Sequence, residues 1–252
     1  MPFIAPLIAN GSLFFAYEQS TLPGRIILWF LFFGSIFSWS VMITKMRMLS
    51  HAKQQSLHFL DLFRNHRQPL HIMESQLRFD GSPLWSVYRA GCKELTFQLL
   101  GSEEIDETFR ARLDSAPHLT ASQMRVVNSA IERTVGETAL KLESQLILLA
   151  TAVSGAPFLG LLGTVWGVME TFSGVAEAGS ANLAAMAPGV SAALITTVTA
   201  LLVAIPAMFG YNFLVTSLKG MIVQTDNFAA ELSSTFENTY GEQRAARPEL
   251  YP

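Results

Sequence analysis

Residues 146–172 read LILLATAVSGAPFLGLLGTVWGVMETF, and residues 186–212 read MAPGVSAALITTVTALLVAIPAMFGYN. Both lie in a 75-residue stretch, Ser144 to Leu218, that has no Lys or Arg and only two carboxylates, Glu170 and Glu177. About 20 consecutive apolar residues suffice for a helix to cross the hydrocarbon of a bilayer, so this stretch holds two crossings. Ser173 to Ala185, SGVAEAGSANLAA, is small, contains Gly and Ser and carries a glutamate, which places the turn between them. Upstream, Ile26 to Thr44 is a further charge-free run of 19 residues, IILWFLFFGSIFSWSVMIT. As a helix it spans roughly 30 Å, which makes three crossings in all.

The rest of the composition agrees. The chain has 252 residues, of which 50% are hydrophobic and 15% charged, and its mean hydropathy is +0.33. That is too apolar for an ordinary globule. A net charge of −3 supplies no basic field for a nucleic-acid partner, and none is expected. Cys92 stands alone, so no intrachain disulfide is available, and His51, His58, His66, His71 and His118 lack metal-ligand spacing. No nucleophile elbow, phosphate loop or metalloprotease signature occurs. The expectation is a non-enzyme with neither cofactor nor metal.

Thirteen of the 17 basic residues fall between Lys45 and Lys141. Those near span ends, Lys45, Arg47 and Lys53, then Arg133 and Lys141, then Lys219, oppose only Arg25 on the other side. The positive-inside rule therefore places the N-terminus outside and the C-terminus in the cytoplasm. The resulting plan is a periplasmic or interfacial segment at 1–25, transmembrane helices at 26–44, 144–172 and 186–218, and a periplasmic turn at 173–185. A cytoplasmic helical region fills 45–143, and a C-terminal cytoplasmic helix and tail occupies 219–252. The apolar start, MPFIAPLIANGSLFFAY, lacks a basic n-region and reads as interfacial rather than as a cleaved signal.

The middle region alternates apolar and charged residues with helical period, broken at Asn65–Pro69, Asp80–Pro83, Gly101 and around Pro117. Ser82-Pro83 offers an N-cap followed by proline at the first helical position, and Thr120-Ala-Ser-Gln123 matches a capping box. The helix that opens there need not stop before the membrane. From Ala121 to Phe172 it would run 52 residues, on the order of 78 Å. Pro157 and Pro206 are the expected kinks, because each removes a helix hydrogen bond and crowds the preceding turn. From about Glu237 the tail reads as polar and frayed.

In the second span Gly160, Thr164, Gly167 and Thr171 share one helix face, small and slightly polar. The third span places Thr197 on a strip with Val190, Ala193, Ala200 and Ala204. Two readings fit. Small residues and Thr permit close helix approach, Gly163 and Gly167 form GxxxG, and a hydroxyl can bond back within its own helix. Alternatively Thr164 and Thr197 present hydroxyls to a path where an ionisable group of a partner moves. A hydroxyl donates and accepts without charge, so it serves both protonation states of a carboxylate. Apart from Glu170 and tyrosine the spans hold no ionisable side chain. Glu170, about 9 Å along the helix from Thr164, is a candidate for admitting ions or an interfacial residue.

Gly155 to Met169 (GAPFLGLLGTVWGVM), Ala187 to Asn212 (APGVSAALITTVTALLVAIPAMFGYN) and Ser38 to Leu49 (SWSVMITKMRML) resemble the MotA/TolQ/ExbB proton-channel family, in its three-span TolQ/ExbB branch. The resemblance covers residues from about 25 to 215. It implies a homo-oligomeric ring, in the best-known cases a pentamer, in the bacterial inner membrane and in contact with membrane lipid. Inside the ring would stand a dimer of a one-span partner similar to ExbD or TolR, whose membrane aspartate carries the proton. Proton-motive force would then drive work at the outer envelope, as energised import or as envelope maintenance. Thr164 and Thr197 match the family's two channel threonines, and Pro188 and Pro206 match retained prolines, implying fixed breaks or bends. One position departs: where many relatives carry glutamate in a run like GIAEAL, this chain has Ala192. Its duty is dispensable here, or falls to Glu170 or to the partner. The competing reading of the whole chain is a structural membrane scaffold whose cytoplasmic helices recruit other proteins.

Overall fold

In the computed structural model, residues 17–18, 20–66, 68–75, 77–102, 109–179 and 182–242 are described. Among them the chain is helical without a strand. Its helices are α1 (Leu22–Asn65), α2 (His71–Glu74), α3 (Pro83–Leu100), α4 (Phe109–Ser115), α5 (Ala121–Glu143), α6 (Leu146–Ala178) and α7 (Leu183–Tyr240). Three stretches are long and apolar enough to cross a membrane: α1, α6 with α5 leading into it, and α7. The fold is that of an all-α integral membrane protein. Of the periplasmic or interfacial segment expected at 1–25, residues 1–16 and 19 lie outside the described residues, and Leu22 to Arg25 already belong to α1.

The chain divides into two compact units, residues 1–45 with 145–215, and residues 46–144 with 216–252. In the first, the apolar runs leave large side chains outward: Phe30, Phe158, Leu202 and Phe209 are each about two-thirds or more exposed. A surface of that kind is stable only against lipid or another chain. Inside, Ile27 and Leu31 of α1 pack with Ala156, Ala200 and Ala204.

The second unit has an aromatic core. The Phe59 ring lies between 5.3 and 6.1 Å, centroid to centroid, from Tyr88, Phe228, Phe79, Trp85 and Phe63. Local signals set the helices around it. Ser82 caps α3, its Oγ accepting from the Trp85 N–H at 3.2 Å, and it meets Ser56 Oγ at 3.0 Å. Gly101 closes the same helix at φ 70°, its N–H donating to Phe97 O at 2.9 Å. Thr120 and Gln123 form the reciprocal capping box of α5. The four breaks read from the sequence are all present.

Three expectations are corrected. The long helix through 121–172 is interrupted, and not at a proline. Ser144 turns its N–H to Leu140 O and its hydroxyl to Lys141 O, and Gln145 takes a left-handed φ of 69°, so α5 ends and α6 begins. By contrast, α6 runs through Pro157, and α7 through Pro188 and Pro206, without a break. Neighbouring helices re-satisfy the backbone around such prolines. The turn expected at 173–185 is also narrower, because α6 continues to Ala178 and closes at Gly179 (φ 65°), and α7 starts at Leu183. Lastly, the chain near Glu237 does not fray. α7 holds to Tyr240, and a parallel bridge ties Gly241 to Leu119 through Leu119 N–H to Tyr240 O at 2.8 Å and Glu242 N–H to Leu119 O at 3.0 Å. Residues 243–252 lie outside the described set.

Cys92 is fully buried in the second unit, and burial pushes its thiol up from the ordinary range while Tyr88 draws it partly back. A thiolate is the reactive form, so Cys92 should resist iodoacetamide at pH 8 in the native, detergent-solubilised protein and react once urea opens the core. Intact mass checks this, and rapid native alkylation would contradict it. Because the unfolded thiol ionises near about 8.5, this group's contribution to stability is complete below that pH and is lost as pH rises above it.

Candidate functional site

Small residues on α6 and α7 let the two helices approach closely in antiparallel register. A Cβ placed on Gly160 would stand 2.5 Å from Ala200 Cβ, one on Gly163 2.7 Å from Thr196 Cβ, one on Gly167 2.7 Å from Ala193 Cβ, and one on Gly189 2.5 Å from Thr171 Oγ1. None of these could be accommodated without movement. The glycines therefore fix how close the helices come, and Ala or Thr fills the facing position each time. Further along α7, Gly210 receives the Met42 side chain of α1.

Where the contact is closest, hydroxyls gather on one carbonyl. Thr197 Oγ1 donates to Gly160 O at 2.9 Å, Thr196 Oγ1 lies 3.1 Å from the same oxygen, and Thr164 Oγ1 lies 3.3 Å from it. Thr164 and Thr197 are 3.3 Å apart, hydroxyl to hydroxyl. Two of the three also have local options: Thr164 reaches Leu161 O at 2.8 Å, and Thr196 reaches Ala193 O at 2.7 Å. Thr196 is 1% exposed, whereas Thr164 and Thr197 are half-buried. The structure thus brings the two sequence-expected threonines together and adds a third.

The sequence profile of the MotA/TolQ/ExbB proton channel family matches residues 101–227, which is half of the chain. The chain belongs to the MotA/TolQ/ExbB proton channel family. It is 29% identical to the Tol-Pal system protein TolQ of Haemophilus influenzae over 228 residues, covering 86% of this chain and 90% of that protein. Over 119 residues it is 40% identical to the biopolymer transport protein ExbB of Pseudomonas putida, covering 46% of this chain and 36% of that protein. It is 50% identical to ExbB of Salmonella typhimurium over 64 residues, 25% of this chain and 26% of that one. The family and the three spans make this a multi-pass membrane protein of the proton channel family to which it is matched, similar to TolQ and ExbB.

Ala192, the position at which the resemblance implies a glutamate in many relatives, has a local setting. Ala192 is 3% exposed and borders a void of about 10 Å³ lined by Ser20, Thr21, Gly163, Gly189 and Thr196 among others. That is the size of a single water. Six residues beyond Thr164, Glu170 is turned about 240° around α6, where the Trp166 Nε1–H donates to its Oε1 at 3.1 Å. Its other oxygen is buried with no partner among the described residues. No group of three metal-binding side chains occurs among the described residues.

Thr196 escaped the sequence reading because the face was drawn through Thr197. The signal was the buried series Ala192, Ala193, Thr196, Ala200, Ala204 and Ala207, a small-residue stripe at helical spacing whose only hydroxyl is Thr196.

Proposed function

We propose that this chain is the proton-channel and stator subunit of an inner-membrane motor that couples proton-motive force to work at the outer envelope. It would act with a dimeric one-span partner similar to ExbD or TolR, around which copies of this chain form a ring of five. The observation that carries this reading is the Thr164–Thr197 pair at Gly160 O, uncharged hydroxyls set in apolar helix faces that contain no carrier of their own. Such hydroxyls can stabilise a carboxylate brought to them and release it once it is protonated. The partner's aspartate would supply that carboxylate. The names of the relatives, Tol-Pal system protein and biopolymer transport protein, support work at the envelope in either form. The N-terminus and the turn before α7 would face the periplasm, with the second unit in the cytoplasm, following the basic residues at the span ends.

The scaffold reading draws on one observation: all three hydroxyls find acceptors within the helix pair itself. Purification from the native membrane in mild detergent, followed by intact-mass stoichiometry, separates the two. A motor yields a small one-span protein with a membrane aspartate, in fewer copies than this chain. Recovery of this chain alone, or at parity with soluble proteins, would sink the motor reading.

A further inference from the structure

A carbonyl oxygen has two lone pairs, and inside a helix the N–H four residues on takes one of them. Gly160 O therefore has one lone pair left, with three threonine hydroxyls within 3.3 Å of it. The three are not equivalent. Thr164 has a second acceptor in Leu161 O at 2.8 Å, and Thr196 has one in Ala193 O at 2.7 Å. Thr197 has, among the described residues, only Gly160 O and the distant Thr164 hydroxyl at 3.3 Å. Whether Thr197 keeps its proton on Gly160 O thus depends on which acceptor Thr196 is using.

We propose that Thr196 is a positioning residue: by competing for Gly160 O it displaces the Thr197 hydroxyl and leaves it free to donate to a carboxylate presented by a partner helix. When Thr196 donates to Ala193 O, Thr197 donates inward to Gly160 O. When Thr196 turns to Gly160 O, Thr197 turns outward. The exchange moves two hydroxyl protons by rotation about Cβ–Oγ and needs no backbone shift. Thr196 is suited to this because it is buried, with Gly163 leaving room beside its Cβ and Oγ1. It meets no partner itself and acts only through Thr197. Of the charged groups on α6 and α7 in this unit, Glu170 is engaged by Trp166, and Glu177 lies near the end of α6 beyond it. Neither is hydrogen-bonded to this trio.

The inference rests on the channel function proposed above, and the test separates the two. Thr196→Val keeps the shape and removes the competitor, so Thr197 stays turned inward and the partner's carboxylate loses a donor. In cells that depend on this chain, coupled envelope activity is expected to fall about threefold, in line with the loss of one interhelical hydrogen bond in a membrane. Its pH profile should move to higher pH, because an ionised carboxylate with one donor fewer holds its proton more tightly. Thr196→Ser should restore both rate and profile, which a purely steric role for the methyl group would not allow. If Thr196→Val fails to accumulate, Thr196→Ala against Thr196→Ser carries the same comparison. Wild-type rate and profile in Thr196→Val, with Thr197→Val inactive, would overturn the inference alone. Full activity in Thr197→Val as well would overturn the channel reading beneath it.

Discussion

Thr197→Val should silence coupled activity while leaving the helix pair standing. The substitution is nearly isosteric, and the one strong bond it removes, to Gly160 O at 2.9 Å, can be replaced by Thr196 at 3.1 Å. Hydrogen bonds between membrane helices average only about 0.6 kcal/mol, so lost stability cannot account for lost function. What disappears is a half-buried donor with no acceptor inside its own helix. Thr164→Val should have the same direction but a smaller effect, since Thr164 already spends its proton on Leu161 O at 2.8 Å. Complementation of a deletion strain, with detergent melting temperature and oligomer mass as controls, measures each variant separately. An active Thr197→Val protein would return the threonines to packing.

Gly160→Ala is expected to damage the protein itself. The new methyl would stand 2.5 Å from Ala200 Cβ, 3.0 Å from Thr197 Cα and 3.2 Å from Thr196 O. Two of those three atoms are backbone and cannot move aside as a side-chain tip could. Overpacking of this kind costs about 1–3 kcal/mol, and here it also pushes apart the hydroxyls that meet at Gly160 O. A lower melting temperature should therefore accompany loss of activity. Ala200→Gly in the same chain relieves only the closest clash, so the double variant should regain part of the stability and less of the function. Equal melting temperatures for Gly160→Ala and the parent chain would show that the helices are not held at the separation described.

Much of this was legible in the sequence because membrane helices declare themselves by what they exclude. The absence of Lys and Arg from Ser144 to Leu218 located α6 and α7, and Ser82, Gly101 and Thr120 marked helix ends that side-chain and left-handed caps then formed. The break at Gln145 was not legible, since glutamine carries no turn preference and the left-handed φ is imposed by the ending of α5 around Ser144. Pro157, Pro188 and Pro206, read as kinks, bends or breaks, sit inside continuous helices here, because a membrane helix can keep its course where its neighbours re-satisfy the backbone. The anchored end of α7 depends on a backbone bridge between Leu119 and Gly241, far apart in sequence and without a side-chain signature. Within the site, period and residue size draw the α7 face through Thr197, one residue away from the Thr196 that packs on Gly163. Choosing between adjacent Thr196 and Thr197 required knowing which one met Gly163.

The register of the glycine contacts also makes a statement about descent. Gly160 with Ala200, Gly163 with Thr196, Gly167 with Ala193 and Thr171 with Gly189 are pairs whose positions sum to nearly the same value, the arithmetic of two strips read in opposite directions. A single inserted or deleted residue in either strip would rotate everything beyond it by about 100° and mismatch every later pair at once. Lineages carrying this helix pair should therefore show no gaps between positions 160 and 171 or between 189 and 200. Bulk should instead pass across the pair, with one position gaining a methyl group only where its opposite number has given one up.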